Sequence, residues 1–190
     1  MNMVCPLPQT ISYWECRLRL FSLCGGKEGI SMFKRLLTTR SLCLSAIIAA
    51  LYAALTMALP VLSYGAWQCR LSEALTLLPM VLPQAVPGLF VGCIVANLLS
   101  PVGVWDVVFG SLATLLAAAG TYVLRDKPLL ATACPVLANG LIVGAMLSVV
   151  YALPMALTML QVAAGEALAV AVGYVLLRAL KGKVDWNRFG

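Results

Sequence analysis

The chain has 190 residues, of which 62% are hydrophobic and 11% charged, with a net charge of +6 and no histidine. About a quarter of the residues of a soluble protein are charged, and this chain has less than half that share. It cannot cover its apolar surface in water, so lipid must surround most of it. The basic residues lie between and after apolar runs, which argues against a nucleic-acid-binding stripe, and the missing histidine excludes Ser-His and Cys-His catalysis.

Residues 1–31 differ from the rest of the chain because they contain no long apolar run. They do not form a signal peptide, which needs an apolar stretch followed by small residues. The codons for Lys27-Glu28-Gly29 can contain a bacterial ribosome-binding sequence, and the codon for Met32 lies a few nucleotides downstream of it. We therefore expect the native start at Met32, so that residues 1–31 are not natively translated. The alternative is that residues 1–31 are a disordered cytoplasmic tail. In either case, residues 32–190 are predicted to form one transmembrane substrate-binding domain.

Six apolar runs follow in chain order, and each predicts a membrane helix. They cover residues 42–62, 71–82, 88–99, 104–124, 129–151 and 155–180. A spanning helix needs about 20 apolar residues, so the second and third runs are short. They would have to tilt, include loop residues or be partly re-entrant. Pro101, Pro128 and Pro154 lie at run boundaries, where proline is tolerated.

The basic residues support six spans with both termini in the cytoplasm. With that count, the inner segments hold Lys34, Arg35, Arg40, Arg125, Lys127, Arg178, Lys181, Lys183 and Arg188. The outer segments hold only Arg70. Because cytoplasmic loops carry an excess of lysine and arginine, this asymmetry predicts an all-α, six-helix transmembrane bundle in the bacterial cell membrane.

Two polar residues lie inside the last two runs. Glu166 is in the middle of the sixth run and Asn139 near the middle of the fifth. An ionisable residue at a helix centre costs about 2.5–3.5 kcal/mol, so each needs a reason. At similar depth, the two side chains either face one ligand cavity or form a polar pair that holds two helices together.

A second group of polar and aromatic residues is predicted near the outer face. It contains Tyr64, Trp67, Gln68, Arg70, Glu73, Asn97, Ser100, Trp105 and Asp106. This mixture suits a flat, polar, aromatic ligand, which needs one ring to stack on and several fixed donors and acceptors. Two simpler interpretations stay open: Trp105 is an interfacial anchor, and Arg70 and Glu73 pair with each other at i, i+3.

Small residues form ridges along three helices. They are Ala46, Ala50 and Ala54 beside Ser45, Ala49 and Ala53 on the first, Gly140 and Gly144 on the fifth, and Gly165, Ala169 and Gly173 on the sixth. Such ridges let helices approach closely, and one on the first helix also suits docking of a partner membrane protein. The seven cysteines form no Cys-x-x-Cys pair, so we expect apolar fillers and no metal site.

Several stretches carry a resemblance to a known family. They are RLSEALTLLP from Arg70, PGLFVGCIVANLLSP at 87–101, Asp106 with GSLATLLAA at 110–118, and Gly165-Glu166. Together they resemble the QueT family, the substrate-binding S components of energy-coupling factor transporters for queuosine precursors. The resemblance covers residues 33–180.

The resemblance implies a six-helix S component that binds a 7-deazaguanine and lies in membrane lipid. It also implies three partners, a coupling transmembrane protein and two ATPase subunits. The chain has no GxxxxGK[ST] motif, so ATP hydrolysis must occur in those partners. The ridge Ala46 and Ala50, or else Ala49 and Ala53, looks like the motif by which S components dock, and both choices stay open.

The expected mechanism is binding without chemistry, with no catalytic residue and no cofactor. A deazaguanine edge carries two adjacent donors, which one carboxylate accepts in a bidentate contact, and Glu166 or Glu73 is predicted for this role. Trp67 or Tyr64 would stack on the bicycle. Alternative functions are an S component for another vitamin-like ligand, a structural membrane subunit, or a membrane-embedded enzyme, which the missing nucleophile-base motif disfavours.

The other polar residues are assigned to the remaining ligand edges. Asn97, Gln68 or Asn139 would complete the ring's hydrogen bonds, and Asp106 would meet a cationic aminomethyl group. The loop 63–70 would close over the bound molecule as a lid and exclude water.

Overall fold

The structure is a computed structural model, and it describes residues 38–60, 63, 70–181 and 183. Within these residues the fold is helical throughout, without strands. The elements are α1 (Thr39–Ala58), a 3-10 helix (Leu71–Met80), α2 (Ala85–Asn97), a π-helical turn (Asp106–Gly110), α3 (Ser111–Val123), α4 (Pro128–Tyr151) and α5 (Met155–Lys181). The expected start at Met32 and the extension 1–31 lie outside the described residues.

Four helices are long and apolar enough to cross a membrane. They are Thr39–Ala58, Asp106–Val123, Pro128–Tyr151 and Met155–Leu180. The helices Leu71–Met80 and Ala85–Asn97 are apolar but shorter, and each extends only about 20 Å against a hydrocarbon core of about 30 Å. All six apolar runs therefore form helical structure, while six complete spans and the location of the termini stay predictions.

A short turn between α4 and α5 reverses the direction of the chain. Ala152 adopts a left-handed conformation with φ 53°, which ends α4. The Ser148 hydroxyl donates to the Leu153 carbonyl at 2.8 Å, and Pro154 precedes the first residue of α5. Because the connection is so short, α4 and α5 pack against each other as an antiparallel pair.

Glycines allow the closest helix contacts, as the small-residue ridges predict. A Cβ at Gly92 on α2 would lie 2.7 Å from the Ala49 carbonyl oxygen, and one at Gly144 would lie 2.7 Å from Met159 Cα. A Cβ at Gly173 would overlap the Ala74 carbonyl of the 3-10 helix. Glycine at these positions therefore lets the backbones approach, and the 3-10 helix is held directly against α5.

A proline inside α4 is accommodated by a hydrogen bond from a neighbouring helix. Pro135 is fully buried and has no N–H to donate to the carbonyl of Ala131, one turn earlier. The Thr121 hydroxyl of α3 donates to that carbonyl at 3.3 Å. The contact stabilises the α3–α4 packing just before the turn of α4 that carries Asn139.

Apolar and polar side chains have the reverse of their arrangement in a soluble protein. Large apolar residues face outward, as at Leu129, Val149 and Val175, which are 77%, 73% and 68% exposed. The interior instead contains threonines, carboxylates and amides. This distribution fits lipid on the outside and a polar centre enclosed by the helices.

Candidate ligand-binding site

The interior contains one cluster of buried polar side chains contributed by every helical element. Six of the nine predicted site residues are in it: Arg70, Glu73, Asn97, Asp106, Asn139 and Glu166. Each of the six is 5% exposed or less. The other three, Tyr64, Trp67 and Gln68, lie outside the described residues, as does most of the predicted lid. Six of the residues predicted from the sequence therefore lie in one buried polar cluster. Their ligand-binding role stays a prediction.

An ion pair forms one end of the cluster. Arg70 Nη2 donates to Asp106 Oδ2 at 2.7 Å, and Arg70 Nε donates to the Ser63 carbonyl at 3.3 Å. The guanidinium therefore pairs with a carboxylate 36 residues away in the chain. The pair joins the start of the 3-10 helix to the π-helical turn before α3.

The π-helical turn fits closely around this ion pair. Asn97 Nδ2 donates to the Asp106 backbone carbonyl at 2.8 Å. A Cβ at Gly110 would lie 2.7 Å from both Asn97 Nδ2 and Asp106 Oδ1, so a larger residue there would displace these two side-chain ends. Local π geometry often marks functional sites in helices, and here it presents Asp106 inward at 2% exposure.

Glu73 lies at the centre of the cluster and is held by two hydroxyls. Its Oε1 accepts hydrogen bonds from the Tyr52 hydroxyl of α1 and from Thr114 Oγ1 of α3, the second at 3.1 Å. Its Oε2 is buried and has no hydrogen-bond partner among the described residues. Because an unpaired buried acceptor is costly, this oxygen needs a donor beyond the contacts of the described residues.

The opposite end of the cluster is the pair predicted inside the last two helices. Asn139 Nδ2 donates to Glu166 Oε1 at 2.9 Å, which joins α4 to α5. The Glu73 carboxyl is close enough to this pair to interact electrostatically with the Glu166 carboxyl. The shared depth of Asn139 and Glu166 is therefore confirmed, and both are near the central carboxylate.

Hydroxyl and thiol groups connect the ion-pair end to Glu73, and sequence reasoning missed them. Cys93 Sγ accepts from Asn97 Nδ2 at 3.3 Å. It is also 3.3 Å from Thr114 Oγ1, and because the Thr114 hydroxyl proton is donated to Glu73, the Cys93 thiol is the donor in that contact. Tyr52 is fully buried and provides the α1 contact to Glu73. The available signal was a tyrosine in the middle of an apolar run, but a hydroxyl costs far less in a membrane helix than a charge and attracts less notice.

Two grooves on the outer surface are unlike this cluster. One lies between α4 and α5, lined by residues that include Leu129, Val136 and Tyr174. The other is formed by Trp105, Phe109 and neighbours on α4, with the two rings stacked at 5.8 Å. Both are almost entirely apolar and lie among exposed Leu and Val side chains, so we interpret them as lipid-facing surfaces. Trp105 is 58% exposed and is not part of the buried cluster, and its role as an interfacial anchor stays a prediction.

Comparison with known proteins agrees with this architecture. A family model described as QueT transporter matches residues 42–182, well over half of the chain. No curated protein and no solved structure matches the chain. The matched region includes the six predicted residues of the polar cluster and three of the four span-length helices in full, with the fourth, Thr39–Ala58, from residue 42 onward. The protein is thus a multi-pass membrane transporter, and it belongs to the QueT transporter family.

Proposed function

We propose that the protein is the S component of an energy-coupling factor transporter and binds a queuosine precursor, a 7-deazaguanine, for uptake. One observation carries the proposal: the buried Glu73 carboxylate is fixed through Oε1 while Oε2 has no partner among the described residues. A fixed carboxylate with one free oxygen is suited to accept an N–H donor, such as one on the edge of a deazaguanine ring.

The surrounding groups suit the rest of such a ring. Its carbonyl oxygen needs a donor, and the Asn139 amide, whose Nδ2 also donates to Glu166 Oε1, is the buried candidate for it. Glu166 gives a second carboxyl beside that amide. The site therefore offers acceptors for ring N–H groups and a donor for the ring carbonyl within one buried cluster.

Replacing the two carboxylates separately tests this role. We expect Glu73→Gln and Glu166→Gln each to weaken deazaguanine binding by roughly tenfold or more, because a neutral amide turns one acceptor into a donor. Asp126→Asn is the matched control, since this carboxylate is exposed between α3 and α4 and its loss leaves affinity unchanged. Isothermal titration of the purified variants gives the affinities. Unchanged affinity in both glutamate variants would rule out the carboxylate site.

Docking to the coupling protein is proposed to use the exposed alanine ridge of α1. The inner ridge packs inside the protein: Ala49 contacts Gly92 of α2, and Ala53 is 7% exposed. Ala46, Ala50 and Ala54 are exposed on the neighbouring face, about 100° around the helix. Of the two ridges that the sequence left open, the outer one is free for a partner helix to approach.

A bulky substitution tests that surface. We expect Ala50→Trp to abolish co-purification with the coupling protein and the two ATPase subunits while ligand binding is retained, because the side chain faces outward. Ala164→Trp is the control, since Ala164 is an exposed alanine on α5. Normal co-purification of Ala50→Trp with its partners would contradict docking through this ridge.

A further inference from the structure

We propose that the groove between α4 and α5 binds an anionic phospholipid, with an acyl chain in the groove and the phosphate held by basic residues at one end. The inference goes beyond the proposed function, because this surface faces outward and none of its lining residues belongs to the buried polar cluster. Three observations carry it: the lining of the groove, the charges at its end, and the contrast with the second groove.

The groove is lined by side chains that repeat along one face of each helix. On α4 the lining lies between Leu129 and Leu137, and on α5 it consists of Ala167, Val170, Ala171 and Tyr174. The α5 residues are spaced i, i+3, i+4 and i+7, so they form one stripe on that helix. Alanines in this stripe leave space between the two helices, which an acyl chain can occupy.

The length of the groove matches one leaflet of a bilayer. Leu129 and Leu137 are eight residues apart, which corresponds to about 12 Å along an α-helix. Half of the hydrocarbon core is about 15 Å thick. The Thr132 hydroxyl in the lining donates to the Leu129 carbonyl at 2.8 Å, so it is satisfied within α4. The groove therefore suits a hydrocarbon chain that begins at the membrane surface and ends near the bilayer centre.

Basic residues are concentrated at the end of the groove where α4 begins. Because α4 and α5 are antiparallel, the first turn of α4 and the last turn of α5 lie at this same end. Arg178 lies one turn beyond Tyr174 on the same face of α5, and Lys127 directly precedes α4. Both side chains are exposed, as are Arg125 and Lys183.

The charge at this end is positive even after its acidic neighbour is counted. Asp126 is the one exposed carboxylate among the described residues, so it offsets at most one of the four cations. The Arg125 guanidinium lies over the Tyr122 ring at 4.8 Å from its centroid, a contact that keeps this charge beside the last turn of α3. Basic pockets between membrane helices are typical binding sites for anionic lipid headgroups.

The second groove shows that the charge is specific to one surface. Basic residues beside a membrane helix also orient a protein, so their presence alone does not indicate lipid binding. The groove at Trp105 and Phe109 is equally apolar, but segments 98–112 and 138–160, which flank it, contain no Lys or Arg. Of these two grooves, only the one between α4 and α5 combines an apolar lining with a basic end.

Two lipids with the same acyl chains test the inference. The full-length protein, delipidated in detergent, is titrated with phosphatidylglycerol and with phosphatidylcholine, and native mass spectrometry counts the bound lipids. We expect one molecule of phosphatidylglycerol to bind at least roughly tenfold more tightly, because the choline cation offsets the phosphate charge. Equal affinities would overturn the proposal. Inorganic phosphate that stabilises the protein against thermal unfolding as much as phosphatidylglycerol does would also overturn it, because the site would then hold a free anion.

Substitutions at the basic end test where the phosphate lies. We expect Arg178→Gln and Lys127→Gln each to weaken phosphatidylglycerol binding roughly threefold or more. Arg40→Gln is the matched control, since it removes an exposed cation at the start of α1 and is expected to leave the affinity unchanged. An equal loss in all three variants would indicate a general effect of net charge and would overturn the assignment to this groove.

Filling the groove tests where the acyl chain lies. We expect Ala171→Phe, at an exposed position of the lining, to weaken phosphatidylglycerol binding roughly tenfold without changing the thermal unfolding temperature in plain detergent. Ala145→Phe is the matched control because Ala145 lines the second groove, and its lipid affinity is expected to equal that of the unmodified protein. Unchanged affinity in both Ala171→Phe and Arg178→Gln would overturn the proposed lipid site.

Discussion

At the scale of single residues, the cluster shows how a charged group is held within a membrane protein. Glu73 is stabilised by hydroxyls from two helices, and Arg70 by a carboxylate from the π-helical turn. The sequence indicated these charged residues because each is costly in lipid. It could not indicate the partners, since Tyr52 and Thr114 are 21 and 41 residues from Glu73 in the chain.

Removing one hydroxyl tests the positioning of Glu73. Tyr52→Phe deletes a buried hydrogen bond, so we expect the free energy of unfolding to fall by about 1–3 kcal/mol and ligand affinity to fall roughly threefold or more. Tyr151→Phe is the control because Tyr151 is 51% exposed at the end of α4. Thermal unfolding in detergent and ligand titration give the two quantities. If Tyr52→Phe matches its control in both, Tyr52 does not position the carboxylate.

At the scale of elements, continuous helices were predictable and the irregular ones were not. The predicted runs 129–151 and 155–180 correspond to α4 (Pro128–Tyr151) and α5 (Met155–Lys181) almost to the residue. The 3-10 helix and the π-helical turn have no comparable sequence signal, because tertiary contacts determine their geometry. The 3-10 helix packs its Ala74 backbone on Gly173 of α5, and such long 3-10 runs are uncommon.

The close contact of α1 with α2 gives a prediction about glycine. Gly92→Ala would place a methyl group 2.7 Å from the Ala49 carbonyl, which belongs to the backbone and cannot rotate away. We expect a loss of about 1–3 kcal/mol in stability, partly offset by the better helix propensity of alanine. Gly120→Ala is the matched comparison, because its methyl group would meet only the Cys134 side chain at 3.0 Å. Thermal unfolding that is equal for the two variants would contradict the predicted clash.

At the scale of the whole molecule, the protein encloses its polar groups and exposes apolar ones. Composition alone predicted this reversal, and the outward-facing Leu and Val side chains confirm it. The orientation in the membrane rests on the distribution of basic residues. Arg125 and Lys127 precede α4, while the turn at Ala152 that follows α4 has no basic residue. Because α4 is long and apolar enough to span, we expect its two ends on opposite faces of the membrane.

Labelling the two ends of α4 tests that orientation. In a variant whose seven cysteines are replaced, a cysteine introduced at Leu153 is expected to react with a membrane-impermeant maleimide in intact cells. One introduced at Asp126 is expected to react only after permeabilisation, because the positive-inside rule places Arg125 and Lys127 in the cytoplasm. The reverse labelling pattern would invert the orientation.

The most direct test of the central claim is a titration of the full-length protein with a panel of 7-deazaguanines and common vitamins. We expect saturable one-to-one binding of a deazaguanine and no comparable binding of the vitamins, because the buried acceptors match the donors of its ring edge. A folded protein that binds a vitamin, or no panel member, would contradict the assignment of the Glu73 and Glu166 cluster as a deazaguanine site.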